Sequence, residues 1–367
     1  MVDQARQLYR AGVLERMVTA VPCSRVGLPS DMVSTRLRVS VLRRAMVRSL
    51  PSTDPFLSRA VIRDFDRWAK NQLGSPSAIN SLSGFATSTL SSAAEHGLTV
   101  FCDRGSWHIL EQKRILDEEA DRIGVPRQRF DPFIIDRELR EYEIADKIIV
   151  PSEAARRSFL GRGIDASRVV KVPYGVDISQ FSMPTEECHH SGAIVSVATI
   201  GLRKGHHHLL QAFQMLRTRN ATLTLVGPIS AGYGRYLNLD QPAVRMTGPV
   251  GRSAVIRELQ QASIFVLASI EEGLALVIAQ AMACGLPVIC TEATGASELI
   301  TDGVEGIIVP GSSAENLAQA IDYLLSDNVR SRAMGAAARR KVEAIGGWER
   351  YGRQLVAAFR EGQSQSK

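Results

Sequence analysis

The chain has 367 residues, 45% of them hydrophobic, which is enough for two cores and points to two domains. No apolar run reaches the roughly 20 residues of a bilayer-spanning helix, and no charged segment followed by an apolar one opens the chain as a secretory leader would. The formal net charge of +6 favours anionic partners, and without a helix–turn–helix, zinc-finger or aromatic-basic pattern nucleic acid is not expected among them. Five cysteines (Cys23, Cys102, Cys188, Cys284, Cys290) are odd in number and lack C-x-x-C spacing, so they read as buried thiols of a reducing compartment and predict a cytoplasmic protein.

In chain order, residues 1–10 read as a helix, followed by a Gly turn and a strand near 16–21. Residues 34–70 carry Arg36, Arg38, Arg43, Arg44, Arg48, Arg59, Arg63, Arg67 and Lys70, with apolar residues interspersed at roughly helical spacing. Two readings fit: an interfacial patch for an anionic membrane surface, or an ordinary solvated helix face. Asp64 and Asp66 diverge by about 200° on a helix, so they are expected to be surface charges rather than a metal-binding pair.

From Gly84 the pattern alternates: helix 87–95, strand 98–102, loop, helix 109–123. The loop holds Asp103, Arg104, Gly105, Ser106, Trp107 and His108 at the end of a parallel strand, where functional groups collect. On position alone a lone His reads as a structural hydrogen-bonder, and Asp103 and Arg104 are further cleft candidates. Alternation continues with a strand at 147–150, a helix at 152–160 capped by Ser152 and a strand at 169–172. Residues 179–191, polar and containing Pro184, read as a linker.

The second half opens with a strand at 193–198, the cationic turn 199–205 and a helix to about 216. Arg203 and Lys204, with the backbone N–H groups of that turn, have the chemistry to hold a diphosphate. His206, His207 and His208 are adjacent and point about 100° apart on a helix, so they are not expected to converge on one ion. Cys188, His189 and His190 add no zinc-like half-site, and neither a metal nor a cofactor is expected. Strands follow at 222–226, ending at Gly227, and at 246–250.

Residues 264–268 form an apolar strand, residues 274–284 an apolar helix stopped by Gly285, and residues 287–290 the next strand: a βαβ unit whose helix begins at the carboxyl edge of the sheet. Glu271, Glu272 and Gly273 lie at the helix entrance, where N–H groups favour an anion; for Glu271 the expected role is to cap the helix. Gln280 is a strongly polar side chain in a helix apolar all round, and a buried amide there needs partners. A strand at 306–309, helices at 313–325, 329–345 and 348–359, and a frayed tail complete the chain.

The segment EEGLALVIAQAMACGLPVI resembles the signature of the retaining glycosyltransferases of family 4, a Glu and a second Glu eight positions on, followed by A-M-A-x-G-x-P-V. Here Gln280 stands in place of the second Glu, and Thr199 where the family usually has an Arg. The resemblance implies a GT-B fold: two Rossmann-like α/β domains facing each other across a cleft. It divides the chain into an acceptor-side domain at 1–180, a nucleotide-sugar domain at 192–345, and a C-terminal helix crossing back at 346–367. The first domain, on this resemblance, lacks its usual first strand.

It further implies metal-independent transfer of a sugar from a nucleotide-diphosphate donor to an acceptor hydroxyl, in polysaccharide or glycolipid biosynthesis, while the basic N-terminal segment adds the expectation of a peripheral place at the inner face of the membrane. Glu272 would contact the sugar, and His108 would face it from the other domain. Arg203, Lys204, Gly273 and Leu276 would hold the diphosphate, and Gln280, Val250 and Gly227 the nucleoside. From its charge, the basic N-terminal surface fits a glycan or lipid-linked acceptor. The alternative is a catalytically silent GT-B relative that serves as a binding or partner subunit. Neither G-x-G-x-x-G nor a P-loop motif is present, which argues against a dehydrogenase or P-loop enzyme.

Overall fold

The apolar runs KIIV, IFVL and VICT are buried at every position in the computed structural model, which describes residues 2–36, 55–184, 192–311 and 313–365. Strands buried on both faces belong to parallel sheets covered by helices, and two such sheets organise the molecule.

The N-terminal half runs α1 (Val2–Arg10), β1 (Met17–Thr19), β2 (Val33–Thr35), α2 (Pro55–Lys70), β3 (Ala78–Leu82), α3 (Thr87–Glu95), β4 (Thr99–Asp103), α4 (Ile109–Arg122), α5 (Pro132–Ile144), β5 (Lys147–Val150), α6 (Glu153–Leu160) and β6 (Val169–Lys171). Strands β3 to β6 pair in sequence order, all parallel, whereas β1 and β2 form a separate parallel pair with Met17 opposite Val33. Among the described residues no strand joins these two sheets.

The C-terminal half runs β7 (Ala193–Val197), α7 (His206–Gln214), β8 (Thr222–Val226), β9 (Val244–Gly248), α8 (Arg252–Gln261), β10 (Ile264–Leu267), α9 (Leu276–Ala283), β11 (Val288–Thr291), β12 (Gly306–Val309), α10 (Ala314–Leu325), α11 (Asn328–Ala344) and α12 (Gly347–Gln365). Its six parallel strands are ordered β12-β11-β10-β7-β8-β9, so the order reverses between β7 and β10. In an open α/β sheet that switch point is where ligands bind, beyond the carboxyl ends of the strands. The result is a two-domain, Rossmann-like GT-B architecture.

The last helix returns to the first domain. Tyr351 and Leu355 of α12 are buried in one cluster with Leu8 of α1, Phe101 of β4 and Ile149 of β5. The expected frayed tail is instead helical as far as Gln365, because Gly362 packs against Phe101 and Gln363 donates to Ser77.

Asp66 is a second correction. It diverges from Asp64 as expected, but only Asp64, paired with Arg36, lies toward solvent. Asp66 is 1% exposed and accepts from the Ser88 and Thr89 amides, the Thr89 hydroxyl and Arg137. It caps α3 from a neighbouring helix, where the preceding Ala86 has no side chain able to do so. Of the basic segment, Arg38, Arg43, Arg44 and Arg48 lie outside the described residues; on α2, Arg63, Arg67 and Lys70 are exposed. No helix among the described residues is long and apolar enough to cross a membrane.

Candidate active site

Two turns meet at the switch point. The turn after β7 closes at Gly205, whose backbone is left-handed (φ +62°) and where a Cβ would lie 1.9 Å from the carbonyl of Ala268 in the turn after β10. Only glycine tolerates both conditions. The Ile270 amide donates to the Arg203 carbonyl at 2.8 Å, fastening the two turns side by side.

That contact brings the cationic and acidic residues together. Lys204 donates to Glu272, and the Arg203 guanidinium reaches Glu271 at 2.7 Å and Glu272 at 3.4 Å. Ser269 donates to Glu272 at 3.2 Å. Burial works against the charge on Arg203, but the two carboxylates outweigh it and raise its pKa.

Glu271 does not cap α9. It is fully buried and reaches into the N-terminal domain, accepting from the Ser106 hydroxyl, from the Trp107 amide at 3.0 Å and from Gln112 at 2.6 Å. Burial alone would raise its pKa; Arg203 and the Ser106 and Trp107 hydrogen bonds hold it below the usual carboxylate range. The loop 103–108 therefore closes directly on the second domain. A Cβ on Gly273 would lie 2.1 Å from the Gly105 carbonyl, and Ser152 donates to the Gly273 carbonyl at 2.5 Å.

Because Ala275 caps α9 without a side-chain hydrogen bond, the first-turn N–H groups from Leu276 onward have no side-chain cap. Gly227 ends β8 with φ +140° and packs against the Ala198 carbonyl, while Val250, just past β9, is exposed. Both stand at the same carboxyl edge as Gly273 and Leu276. Gln280 is only partly buried, and among the described residues its side chain makes no hydrogen bond, so the cost expected for a fully buried amide does not arise. A hollow of about 280 Å³, lined by residues such as Thr222, Arg245 and Glu258, lies at the opposite, amino end of this sheet.

The loop candidates of the first domain point inward. His108 is 3% exposed; its Nδ1 accepts from the Leu110 amide at 3.2 Å, capping α4, and its ring packs on Tyr142 and Phe159. Burial, with help from Arg162 and Arg104, lowers its pKa to about 4. The expectation that this ring faces a sugar is corrected to a capping and packing position. Asp103 is likewise buried, its pKa raised to about 6 by desolvation despite a hydrogen bond from Gln4. Arg104 holds the loop through the Trp107 carbonyl, Glu138 and Gln112.

The histidine run also behaves differently from its sequence reading. His206 is buried near the Gly201 amide, away from the other two. His207 and His208 do converge, both on Glu119 of α4, at 2.5 Å and 2.8 Å. The two rings diverge on their own helix, but their common partner comes from the other domain and lies between them.

Sequence reasoning singled out Arg203, Lys204, Glu272 and Gly273, and the structure places them together. It missed the reach of Glu271 and the parts played by Ser106 and Gln112. The available signal was two adjacent glutamates where capping needs only one.

Residues 186–341, a little under half of the chain, match the model for glycosyl transferases group 1. The chain is a GT-B protein related to the family 4, or group 1, nucleotide-sugar transferases. It is 32% identical over 212 residues to a GDP-mannose-dependent monoacylated alpha-(1-6)-phosphatidylinositol monomannoside mannosyltransferase of Corynebacterium glutamicum, a match covering 50% of this chain and 54% of that protein. It is 26% identical over 340 residues to a D-inositol 3-phosphate glycosyltransferase of Paenarthrobacter aurescens, covering 86% and 80%. For the first of these, and for several further inositol 3-phosphate glycosyltransferases, the chain spans a little more than half of the relative's length. Among solved structures, sucrose-phosphate synthase of Thermosynechococcus elongatus superimposes with a TM-score of 0.71 at 20% identity, covering 98% of this chain and 91% of that one. HepE of Anabaena, solved with UDP and glucose, gives 0.66 at 16% identity, covering 98% and 94%. These two likenesses establish the fold.

Proposed function

We propose that the chain is a retaining glycosyltransferase that moves a sugar from a nucleotide-diphosphate donor to an acceptor hydroxyl. The observation that carries the reading is the convergence of the Arg203–Lys204 turn with the entrance to α9, at the sheet's switch point and against the other domain. In such a transfer, charge builds on the departing diphosphate as the sugar gains oxocarbenium character. Lys204, Arg203 and the N–H groups at Gly273 and Leu276 are the groups that would meet that charge. Glu272 would orient the sugar hydroxyls, and Gln280, Val250 and Gly227 would contact the nucleoside.

In the structure Lys204 is already neutralised by Glu272. Donor binding on this reading is therefore an exchange: Glu272 turns to the sugar, and the Lys204 ammonium pairs with the phosphate instead. Relatives named for GDP-mannose and a structural neighbour solved with UDP-glucose support a nucleotide-sugar donor. Relatives named for a phosphatidylinositol mannoside or inositol 3-phosphate favour a glycolipid or polyol acceptor.

Incubation with a panel of UDP- and GDP-sugars should release nucleoside diphosphate. A silent partner subunit would instead be stabilised against heat by a nucleotide without turning it over. The exposed Arg63, Arg67 and Lys70 on α2 make one cationic face, which supports docking to an anionic bilayer at about 1 kcal/mol per charge. Co-sedimentation with phosphatidylserine vesicles should fall on replacing all three by Gln; retention would remove the membrane part of the proposal.

A further inference from the structure

Glu119, His207 and His208 bring two ring nitrogens and a carboxylate oxygen to within 4.8 Å of one another. Glu119 belongs to α4 of the first domain, and both histidines belong to the first turn of α7 in the second. His207 and His208 present Nε2 to one and the same oxygen, Glu119 Oε1, at 2.5 Å and 2.8 Å, and the Arg122 guanidinium reaches that oxygen at 2.5 Å. Three donors on one carboxylate oxygen exceed its two lone pairs.

His208 Nε2 is also faced by two incompatible neighbours. Arg122 at 2.9 Å can only donate to it, and Glu119 at 2.8 Å can only accept from it. One ring nitrogen satisfies one of the two. A divalent cation removes both conflicts, because it takes lone pairs from all three groups at once.

We propose that this cluster is a divalent transition-metal site of the zinc class, which staples the two domains beside the Lys204 turn. Two imidazoles and a carboxylate suit zinc, with arms of about 2.0–2.2 Å, and the fourth tetrahedral position is open to water. Ligand atoms on such arms lie roughly 3.3 Å apart, so each imidazole nitrogen needs to draw back from Glu119 Oε1 by less than about 1 Å. The orienting group is in place: Tyr233 OH lies 2.8 Å from His207 Nδ1, so with Nδ1–H donating to the phenol, Nε2 keeps its lone pair for the ion. Arg122 is the resident competitor. Its side chain is 55% exposed, at the solvent edge, so it can swing out to admit the ion. The site is independent of the donor chemistry, and its test reads no activity.

The full chain, stripped with a chelator, is titrated with Co2+ and, separately, with Zn2+. The expected result is uptake of one cobalt with tetrahedral visible bands, and a higher melting temperature with zinc. Glu119→Gln and His208→Gln should lose both signals while keeping the wild-type circular dichroism. Tyr233→Phe should weaken uptake about 10- to 100-fold, and Arg122→Ala should strengthen it by removing the competing cation. The proposal is overturned by no uptake in the wild type, by uptake that survives Glu119→Gln, or by weaker binding in Arg122→Ala.

Discussion

Replacing Lys204 by methionine is expected to lower donor turnover by about 10²–10³-fold, the usual cost of removing one group that meets developing charge in a transition state. The loss should fall mainly on kcat. An amine that stabilises the departing diphosphate acts most strongly when the bond to the sugar is breaking, and a ground-state contact alone would appear in KM. Assaying nucleoside diphosphate release gives both constants, and an unchanged kcat would refute this role for Lys204. The reciprocal change separates the ion pair from the chemistry. Glu272→Gln removes the carboxylate that pairs with Lys204, so the free nucleoside diphosphate should bind more tightly while turnover of the donor falls. Calorimetry with UDP or GDP measures the first and product release the second. If affinity and turnover fell together, Glu272 would be a structural anchor rather than an exchangeable partner.

The βαβ rhythm was readable because buried parallel strands are short apolar runs, and helices announce their ends. Strands β5, β8 and β12 and helix α3 occupy the expected residues. Ser152 caps α6 through the Ala155 amide, and Ser313 caps α10 through Asn316. Gly285, at φ +76°, stops α9 where the sequence placed a left-handed stop. All of these are local: the residue and its consequence lie within a turn of each other.

What escaped the sequence is long-range. Glu271 finds Ser106 across 165 positions, and Glu119 finds His207 across 88. In both, one partner sits in each domain, so no local spacing encodes the pair. His108 fails in another way. Its position at the carboxyl edge of β4 was right, but the ring turned toward Tyr142 and Phe159, because those aromatics offer a buried surface and Leu110 a donor to its nitrogen. Position along a strand fixes which edge a residue occupies, and packing decides which way it points. The cationic turn did not suffer from this ambiguity, since Gly205 against Ala268 leaves the backbone one path.

The same long-range logic makes Asp66 the expected weak point of the first domain. Asp66→Ala should destabilise it by about 3–5 kcal/mol, the range for breaking a buried ion pair by removing one partner. Asp66 and Arg137 are 1% and 8% exposed at 2.7 Å, and the same carboxylate also receives the Ser88 and Thr89 amides. Removing it leaves the buried Arg137 guanidinium with only the Gly84 carbonyl at 2.9 Å and Glu141 at 3.7 Å, and takes their acceptor from two helix-terminal N–H groups. For a domain of this size the shift in melting temperature is on the order of 10 °C, read as the transition of the N-terminal domain by scanning calorimetry. The pH dependence has a definite sign. Burial raises the Asp66 pKa, but Arg137 and the Ser88 and Thr89 hydrogen bonds more than offset this, leaving it below 3.8. A carboxylate depressed in the folded state contributes fully above its unfolded pKa and loses that contribution as pH falls through the folded value. The gap between wild type and Asp66→Asn should therefore be constant above about pH 5 and close below about pH 4. A gap that persisted undiminished to pH 2 would mean that the carboxylate's charge is not what holds α2 to α3 and α5.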